Sequence, residues 1–226
     1  ETNYQSEKGI TNILLAGTDG RPGEKNSRSD AMMILTVDSK NKSLKLTSLN
    51  RDTYVNIPGH GEQKLTHAYA YGGANLLVET IENNFEVDIQ NYAVVDFYSF
   101  MDIVDALGGV EVDVHENEIK EINKFIRNET YKWSGKTEPM QLIEHSGVQK
   151  LNGYQTLSYA RIRKNDSTQE RDRRQRQVIE GLINGVKNLP VSKYPKLLDT
   201  ILPYVKTNMR PTEIIGLAGK VLSIGN

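Results

Sequence analysis

Residues 91–114, NYAVVDFYSFMDIVDALGGVEVDV, pass from a strand-like apolar run (91–97) through a helical one (97–107) to a second strand-like run (110–114), with Gly108-Gly109 closing the helix. Similar punctuation occurs upstream. Residues 10–16, ITNILLA, form an apolar run stopped by the turn signal Gly17-Thr18-Asp19-Gly20. Residues 31–38 (AMMILTVD) and 43–49 (SLKLTSL) read as a strand pair with a tight connection at Ser39–Lys42. Strands alternating with helices point to an α/β sandwich with a central sheet.

The rest of the chain fits around that frame. A loop runs into a helix across 65–85, where Leu76, Leu77, Thr80 and Ile81 keep helical spacing after Gly72-Gly73. Residues 115–145 are a polar excursion with some helix and the only tryptophan, Trp133. From Leu151 the pattern is helical: a short helix near 151–158, a long one near 169–189, one around 195–205, and a last one with Pro211 in its first turn. No internal repeat and no break in composition marks a linker, so the expectation is one domain over 10–226, preceded by 1–9 as a disordered or linker remnant.

Composition removes several chemistries. The 226 residues include no cysteine, which excludes disulfides, zinc–thiolate sites and thiol nucleophiles. A formal net charge of −1 argues against the broad positive field that nucleic-acid binding needs. No stretch approaches the roughly 20 apolar residues of a membrane span. The chain starts at Glu1 rather than Met, which suits a fragment cut from an anchor or signal.

Against that neutral background, residues 159–179 (YARIRKNDSTQERDRRQRQVI) concentrate Arg161, Arg163, Arg171, Arg173, Arg174, Arg176 and Lys164. Three readings compete: a solvated helix face paired with Asp166, Glu170 and Asp172, a nucleic-acid patch, and a pocket for a phosphorylated ligand. On a helical wheel the apolar stripe Val178, Ile179, Leu182, Ile183, Val186 and Leu189 extends toward Arg171 and Gln175. Arg174 and Arg176 fall on the flanks, and Arg173 lies opposite, so Arg173 and Arg176 read as solvated. An inward Arg171 needs an anion, either a carboxylate or a phosphate. Arg161 and Arg163 alternate with Ala160 and Ile162 in a period-two pattern that suggests an extended stretch presenting both guanidinium groups on one side.

Asp19 and Asp30 sit at the ends of adjacent predicted strands, where they could share a Mg²⁺. The alternative reading makes Asp19 a turn residue and Asp30 an ion-pair partner of Arg28. GTDGRPG lacks the GK[ST] ending of a Walker loop, no G-x-S-x-G elbow is present, and His60, His67, His115 and His145 have no metal-ligand spacing. A basic pocket with nearby acids suits phosphoryl transfer, in which positioning and charge neutralisation supply most of the catalysis.

Seven strings occur in order: NILLAGTDGR, RSDAMMILTVD, NRDTYVNIPG, KLTHAYAYGG, DFYSFMDIVDALGGVEVDV, LNGYQTLSYARIR and RDRRQRQVI. With them the chain resembles the LytR-CpsA-Psr family of Gram-positive envelope proteins, from about Ile10 to the C-terminal TNMRPTEI segment. The resemblance implies a three-layer αβα sandwich around a central mixed β-sheet. It implies a membrane-anchored, extracytoplasmic phosphotransferase that moves an anionic glycopolymer, such as teichoic acid or capsule, from a polyprenyl diphosphate carrier onto a muramic-acid hydroxyl of peptidoglycan. A transmembrane helix ahead of Glu1 is part of that expectation.

By the same resemblance Asp19 and Asp30 are the Mg²⁺ (or Mn²⁺) ligands, and Arg51 of the RD motif stabilises charge on the diphosphate. Arg161 and Arg163 of Y-x-R-x-R, with Arg171, Arg174 and Gln175 of R-x-x-R-Q, bind the diphosphate. Val95, Phe97, Phe100 and Leu107 are candidates for lining a lipid pocket, or plain core. The chain departs from the family at Asn50, where Pro is usual, and at Thr168, where an aspartate is usual. Either Asp166 replaces that acid or none is present, which leaves the general base unassigned. Two enzymatic or binding alternatives remain, a polyprenyl diphosphate hydrolase and a non-catalytic lipid-glycan binder, beside a nucleic-acid-binding regulator.

Overall fold

The computed structural model describes residues 7–21, 27–163 and 167–224. In chain order its elements are β1 (Ile10–Thr18), β2 (Ser29–Asp38), β3 (Ser43–Leu49), β4 (Tyr54–Ile57), β5 (Gly61–Lys64), α1 (Thr66–Phe85), β6 (Asn91–Asp96), α2 (Phe97–Ala106) and β7 (Val110–Val114). There follow α3 (Ile119–Phe125), a π-helical turn (Ile126–Thr130), α4 (Tyr131–Trp133), β8 (Gly147–Leu151), α5 (Gly153–Ala160), α6 (Thr168–Lys187), α7 (Tyr194–Ile201), β9 (Lys206–Thr207) and α8 (Pro211–Ser223). Two compact units result: residues 1–96 with 205–226, and residues 97–204. The second starts where β6 passes straight into α2 at Asp96–Phe97, with no linker residues between them.

The first unit holds a sheet of order β3-β2-β1-β6-β9, antiparallel except for the parallel pair β1–β6. Period-two alternation along β1 and β2 divides their side chains between two apolar layers. Leu14, Ala16, Met32 and Ile34 pack with Leu77 and Ile81 of α1, whereas Ile13, Leu35 and Val37 pack with Leu217 and Val221 of α8. Helix, sheet and helix thus form the three-layer α/β arrangement, with a central mixed sheet.

Helix α1 differs from the expected loop-then-helix. It begins at Thr66 and continues to Phe85, kinked at Gly72 and Gly73, where Gly73 takes a φ of +65° that a side chain would strain. The β4–β5 hairpin ahead of it was not legible in the sequence; it buries Val55 and Ile57 beneath α1.

The second unit is mainly helical around a two-stranded antiparallel sheet, β7–β8, whose strands are joined through α3, the π-helical turn and α4. Its core gathers Met101 and Val104 from α2, Val110, Val112 and Val114 from β7, Leu157 from α5 and Val178 from α6. Helix α5 starts at a capping box: Asn152 Oδ1 accepts from the Gln155 N–H at 3.0 Å, and Gln155 Oε1 accepts from the Asn152 N–H at 2.9 Å. Helix α6 starts at Ser167, whose Oγ accepts from the Glu170 N–H at 3.2 Å. A Cβ on Gly181 would lie 2.5 Å from Val110 Cγ1, so glycine lets α6 seat directly on β7.

Candidate functional site

The acidic residues meet at one end of the first unit's sheet. Thr18, the last residue of β1, pairs with Ser29 across β2 and with Asp96 across β6. The β1–β2 register runs from Gly17↔Ala31 to Thr18↔Ser29, so Asp30 is the residue it skips. Such a bulge re-aims the side chain of the extra residue and is common beside functional sites. Asp19 follows Thr18 immediately; its Oδ1 accepts from the Arg28 N–H at 2.7 Å, and its own N–H donates to the Arg28 carbonyl at 3.1 Å. Asp19 therefore keeps the turn role considered from sequence, while its second oxygen is not tied by that bond.

Asp30 pairs with Arg51, not Arg28: Arg51 Nη1 donates to Asp30 Oδ1 in a largely buried ion pair. The strand ends that carry this pair are fixed by a residue the sequence reading passed over. Thr66, buried at the start of α1, donates its hydroxyl to the Ser29 carbonyl (2.8 Å) and its N–H to the Arg51 carbonyl (3.0 Å). Asp96 ends β6 opposite Thr18, a parallel-strand neighbour that a linear pattern does not show.

The residues at this end fit a hard divalent cation. Asp19 and Asp30 supply carboxylate oxygens from neighbouring strand ends, and a bulge turns one of them out of the ladder; Mg²⁺ and Mn²⁺ favour one or two such carboxylates completed by water and phosphate oxygens.

The second unit holds most of the arginine segment, and its geometry corrects the wheel. Arg174 is the inward residue, 1% exposed, with Nη1 donating to Glu118 Oε1 at 3.0 Å and Nη2 to the Ile162 carbonyl at 3.1 Å. Arg173 is not solvated. Its Nη2 donates to the same Glu118 oxygen, its Nε to Glu170 Oε2 at 2.8 Å, and its Nη1 to the Tyr159 hydroxyl at 3.4 Å. The apolar stripe placed the inward face about one residue off, because α6 turns Arg174, Val178 and Gly181 toward its neighbours. Arg176 is exposed, as the wheel has it, and Arg171 and Gln175 are half-buried.

Glu118 is the anion at the centre of this cluster, and no local sequence signal marks it. It is 4% exposed, and its Oε2 accepts from the His115 N–H at 2.8 Å. His115, Glu118 and Glu170 offer ligand atoms within 4.8 Å of one another, a proximity their spacing conceals. Both oxygens of Glu118 are already engaged, so the cluster is an ion-pair node. Glu170 is held below the usual carboxylate range by its hydrogen bond from Arg173. Burial pushes the Tyr159 phenol up to about 12, with the Glu118 charge adding to it. Its hydroxyl lies 2.7 Å from Gln177 Oε1 and 3.2 Å from the Asp113 carbonyl, both acceptors.

Arg161 does not lie on an extended stretch. Tyr159 and Ala160 belong to α5, and Arg161 is its C-cap at φ −93°, ψ −4°. Its Nη1 donates to Glu129 Oε2 at 2.7 Å, and its guanidinium carbon lies 4.8 Å from the Phe97 ring centroid, 4.9 Å from Trp133 and 5.2 Å from Phe125. Arg163, two residues on, is exposed. Asp166, the possible substitute acid, lies outside the described residues, as do residues 1–6 of the expected N-terminal linker.

The LytR_cpsA_psr family model matches residues 1–226. The chain belongs to the LytR-CpsA-Psr family. It is 35% identical over 229 residues to the polyisoprenyl-teichoic acid–peptidoglycan teichoic acid transferase TagT of Bacillus subtilis, covering 98% of this chain and 67% of TagT. TagU transferases of Enterococcus faecalis and Bacillus licheniformis are 35% and 37% identical across 92% and 87% of this chain, which spans 64% and 59% of their lengths. The solved structure of TagT bound to LIIa-WTA superposes with a TM-score of 0.80 at 33% identity, over 96% of this chain and 76% of that one. The structure described as YwtF (TagT) with bound octaprenyl pyrophosphate lipid gives 0.75 at 31% identity, over 96% and 75%.

The four lipid-lining candidates of this LytR-CpsA-Psr chain have different surroundings. Val95 lies on β6, on the sheet face opposite the buried Val94. Phe97 lies against Arg161, and Phe100 packs on the second unit's core. Leu107 lines a groove of about 520 Å³ between the β7–β8 sheet and α6, with Val148, Lys150, Glu180, Gly181 and Leu189. Among the described residues no helix is long and apolar enough to cross a membrane.

Proposed function

We propose that this chain is the catalytic portion of a glycopolymer phosphotransferase, moving an anionic polymer such as teichoic acid or capsule from a polyprenyl diphosphate carrier to a peptidoglycan muramic-acid hydroxyl. The observation that carries the reading is the end of β1, where a bulge presents Asp30 to Arg51 beside Asp19. The family membership and the transferases named above support it. In this reading the lipid-linked donor and the peptidoglycan acceptor together put the work at the outer face of a membrane.

The reaction is an in-line substitution at phosphorus. A sugar hydroxyl oxygen forms a bond to the glycan-side phosphorus as its proton passes to solvent, the bond from that phosphorus to the bridging oxygen breaks, and polyprenyl phosphate leaves with the electron pair. Arg51 binds a diphosphate oxygen and opposes the negative charge that builds on the leaving phosphate. Asp19 and Asp30 would hold Mg²⁺ or Mn²⁺, which when bound neutralises diphosphate oxygens. Thr66 keeps Arg51 and the β2 strand end in register, so the charge is in place before the donor arrives. Arg161, Arg163 and Arg171 are assigned to donor phosphates because they match the family motifs. Arg174 and Arg173 are occupied by Glu118 and serve the fold. That occupation also counts against a duplex-binding role for the segment, which would need its guanidinium groups turned outward.

The test is transfer of labelled glycan from a polyprenyl diphosphate donor to peptidoglycan, with polyprenyl phosphate release measured in the presence and absence of acceptor. Arg51→Ala is expected to slow transfer by about 10²- to 10³-fold. An Arg51→Ala protein as fast as the parent would overturn the assignment, and equal turnover without acceptor would make the enzyme a diphosphatase.

A further inference from the structure

Arg161 is a partly exposed cation held by an ion pair and three aromatic rings at once. Three aromatic ring centroids lie within 5.2 Å of its guanidinium carbon, and two of the rings, Phe97 and Trp133, are near-parallel at 14° with centroids 6.1 Å apart. Rings placed this way attract the cation and restrict the plane of the group, while its edge N–H bonds stay directed elsewhere. One of those edge bonds goes to Glu129, and the two side chains are 25% and 38% exposed, so solvent and solutes reach the pair.

Glu129 is placed by an unusual piece of backbone. It belongs to the π-helical turn Ile126–Thr130, a conformation that is rare and concentrates at functional sites. The turn is pinned to α5 by a hydrogen bond between Thr130 Oγ1 and Ser158 Oγ at 2.7 Å, both residues being fully buried. Helix α5 ends in Arg161 itself. The carboxylate and the guanidinium are therefore carried by two elements locked together by that bond, and the three rings add cation–π attraction at the guanidinium.

We infer that Glu129 is an internal stand-in for a donor phosphate oxygen: it occupies the guanidinium edge of Arg161 until the diphosphate displaces it, while Phe97, Trp133 and Phe125 hold the cation. This rests on the reading of Arg161 as a phosphate-binding residue. Glu129 is then a positioning residue that lowers affinity for the donor, keeping the arginine paired and correctly turned when no donor is present. The exchange makes and breaks no covalent bond; one anion replaces another on the same N–H.

Trp133 is the chain's only tryptophan and lies over Arg161, so its emission reports on the exchange directly. Octaprenyl diphosphate in detergent micelles, and inorganic pyrophosphate as a probe without a lipid tail, are titrated into the parent chain, Glu129→Gln and Arg161→Ala. Glu129→Gln is expected to bind both probes about two- to five-fold more tightly, the scale of a partly exposed ion pair removed as competitor. Arg161→Ala is expected to bind weakly and to lose the Trp133 response. If Arg161→Ala loses binding while Glu129→Gln binds no more tightly than the parent, the stand-in role is wrong and the phosphate-binding role survives. If Arg161→Ala binds both probes as the parent does, the reading of Arg161 fails first. A merely structural glutamate would not yield a gain in affinity on removal.

Discussion

Two glutamate–arginine pairings in the second unit, built from one arginine-rich segment, differ in nearly every physical respect. Glu118 meets Arg174 at 3.0 Å with 4% and 1% exposed, and takes Arg173 on the same oxygen. Glu129 meets Arg161 at 2.7 Å with 38% and 25% exposed, on the edge of an aromatic cage. The buried node cannot change partners without leaving a charge in a dry interior. The open pair can exchange its anion at small cost, because water and salt already compete for both groups. Burial, more than the number or spacing of arginines, separates those that hold the fold together from those available to a ligand.

The largest expected effect tests the buried side. Glu118→Ala leaves Arg174 without its anion, and removing one partner of a buried pair costs about 3–5 kcal/mol. Urea unfolding monitored by Trp133 fluorescence checks this, and a loss below about 1 kcal/mol would place Glu118 with the exchangeable pairs.

That division was only partly legible in the sequence. Strands β1, β2, β3, β6 and β7 were readable because each is an apolar run bounded by glycine, aspartate or a short polar turn. Strand β8 and the β4–β5 hairpin were not, because their few residues are mostly polar and their pairing is decided by tertiary contact. The wheel followed apolar residues and set Arg173 in solvent; it had no means of seeing Glu118, about fifty residues upstream, as the anion that lets arginines take inward positions. The Y-A-R-I-R alternation suggested a strand, yet the Asn152–Gln155 capping box starts a helix that runs through Ala160 and leaves Arg161 at its end. The family motifs name Asp19, Asp30 and Arg51 together, and of these the structure pairs Asp30 with Arg51. The bulge that turns Asp30 out of the ladder and the Thr66 clamp were not legible, since register is a property of two strands and not of either alone.

A middle-sized effect lies beside the buried node. Tyr159→Phe removes a hydroxyl placed among Gln177, the Asp113 carbonyl and Arg173, at about 1 kcal/mol near neutral pH. The phenol titrates near pH 10 in an unfolded chain and at about 12 in the folded one. The folded state binds that proton more tightly, so the stabilisation is fully present below about pH 10 and is lost as pH rises through about 12. The stability difference between parent and Tyr159→Phe should therefore shrink across that interval, measured by urea unfolding at successive alkaline pH values. A difference independent of pH from 9 to about 12 would mean the hydroxyl's environment does not depend on its proton.

The smallest effect tests the open side. Glu129→Gln is expected to change folding stability by less than about 1 kcal/mol, because an accessible ion pair is screened by solvent and the cage continues to hold the guanidinium. The same substitution is expected to tighten diphosphate binding, so stability and affinity move independently. At Glu118 they should move together, since any loss of ligand binding there follows from loss of the fold. Melting curves and pyrophosphate titrations on the two variants supply the four measurements. A Glu129→Gln protein destabilised as strongly as Glu118→Ala would show that the π-turn and α5 depend on that carboxylate for their docking, and the two glutamates would then perform one job at two depths.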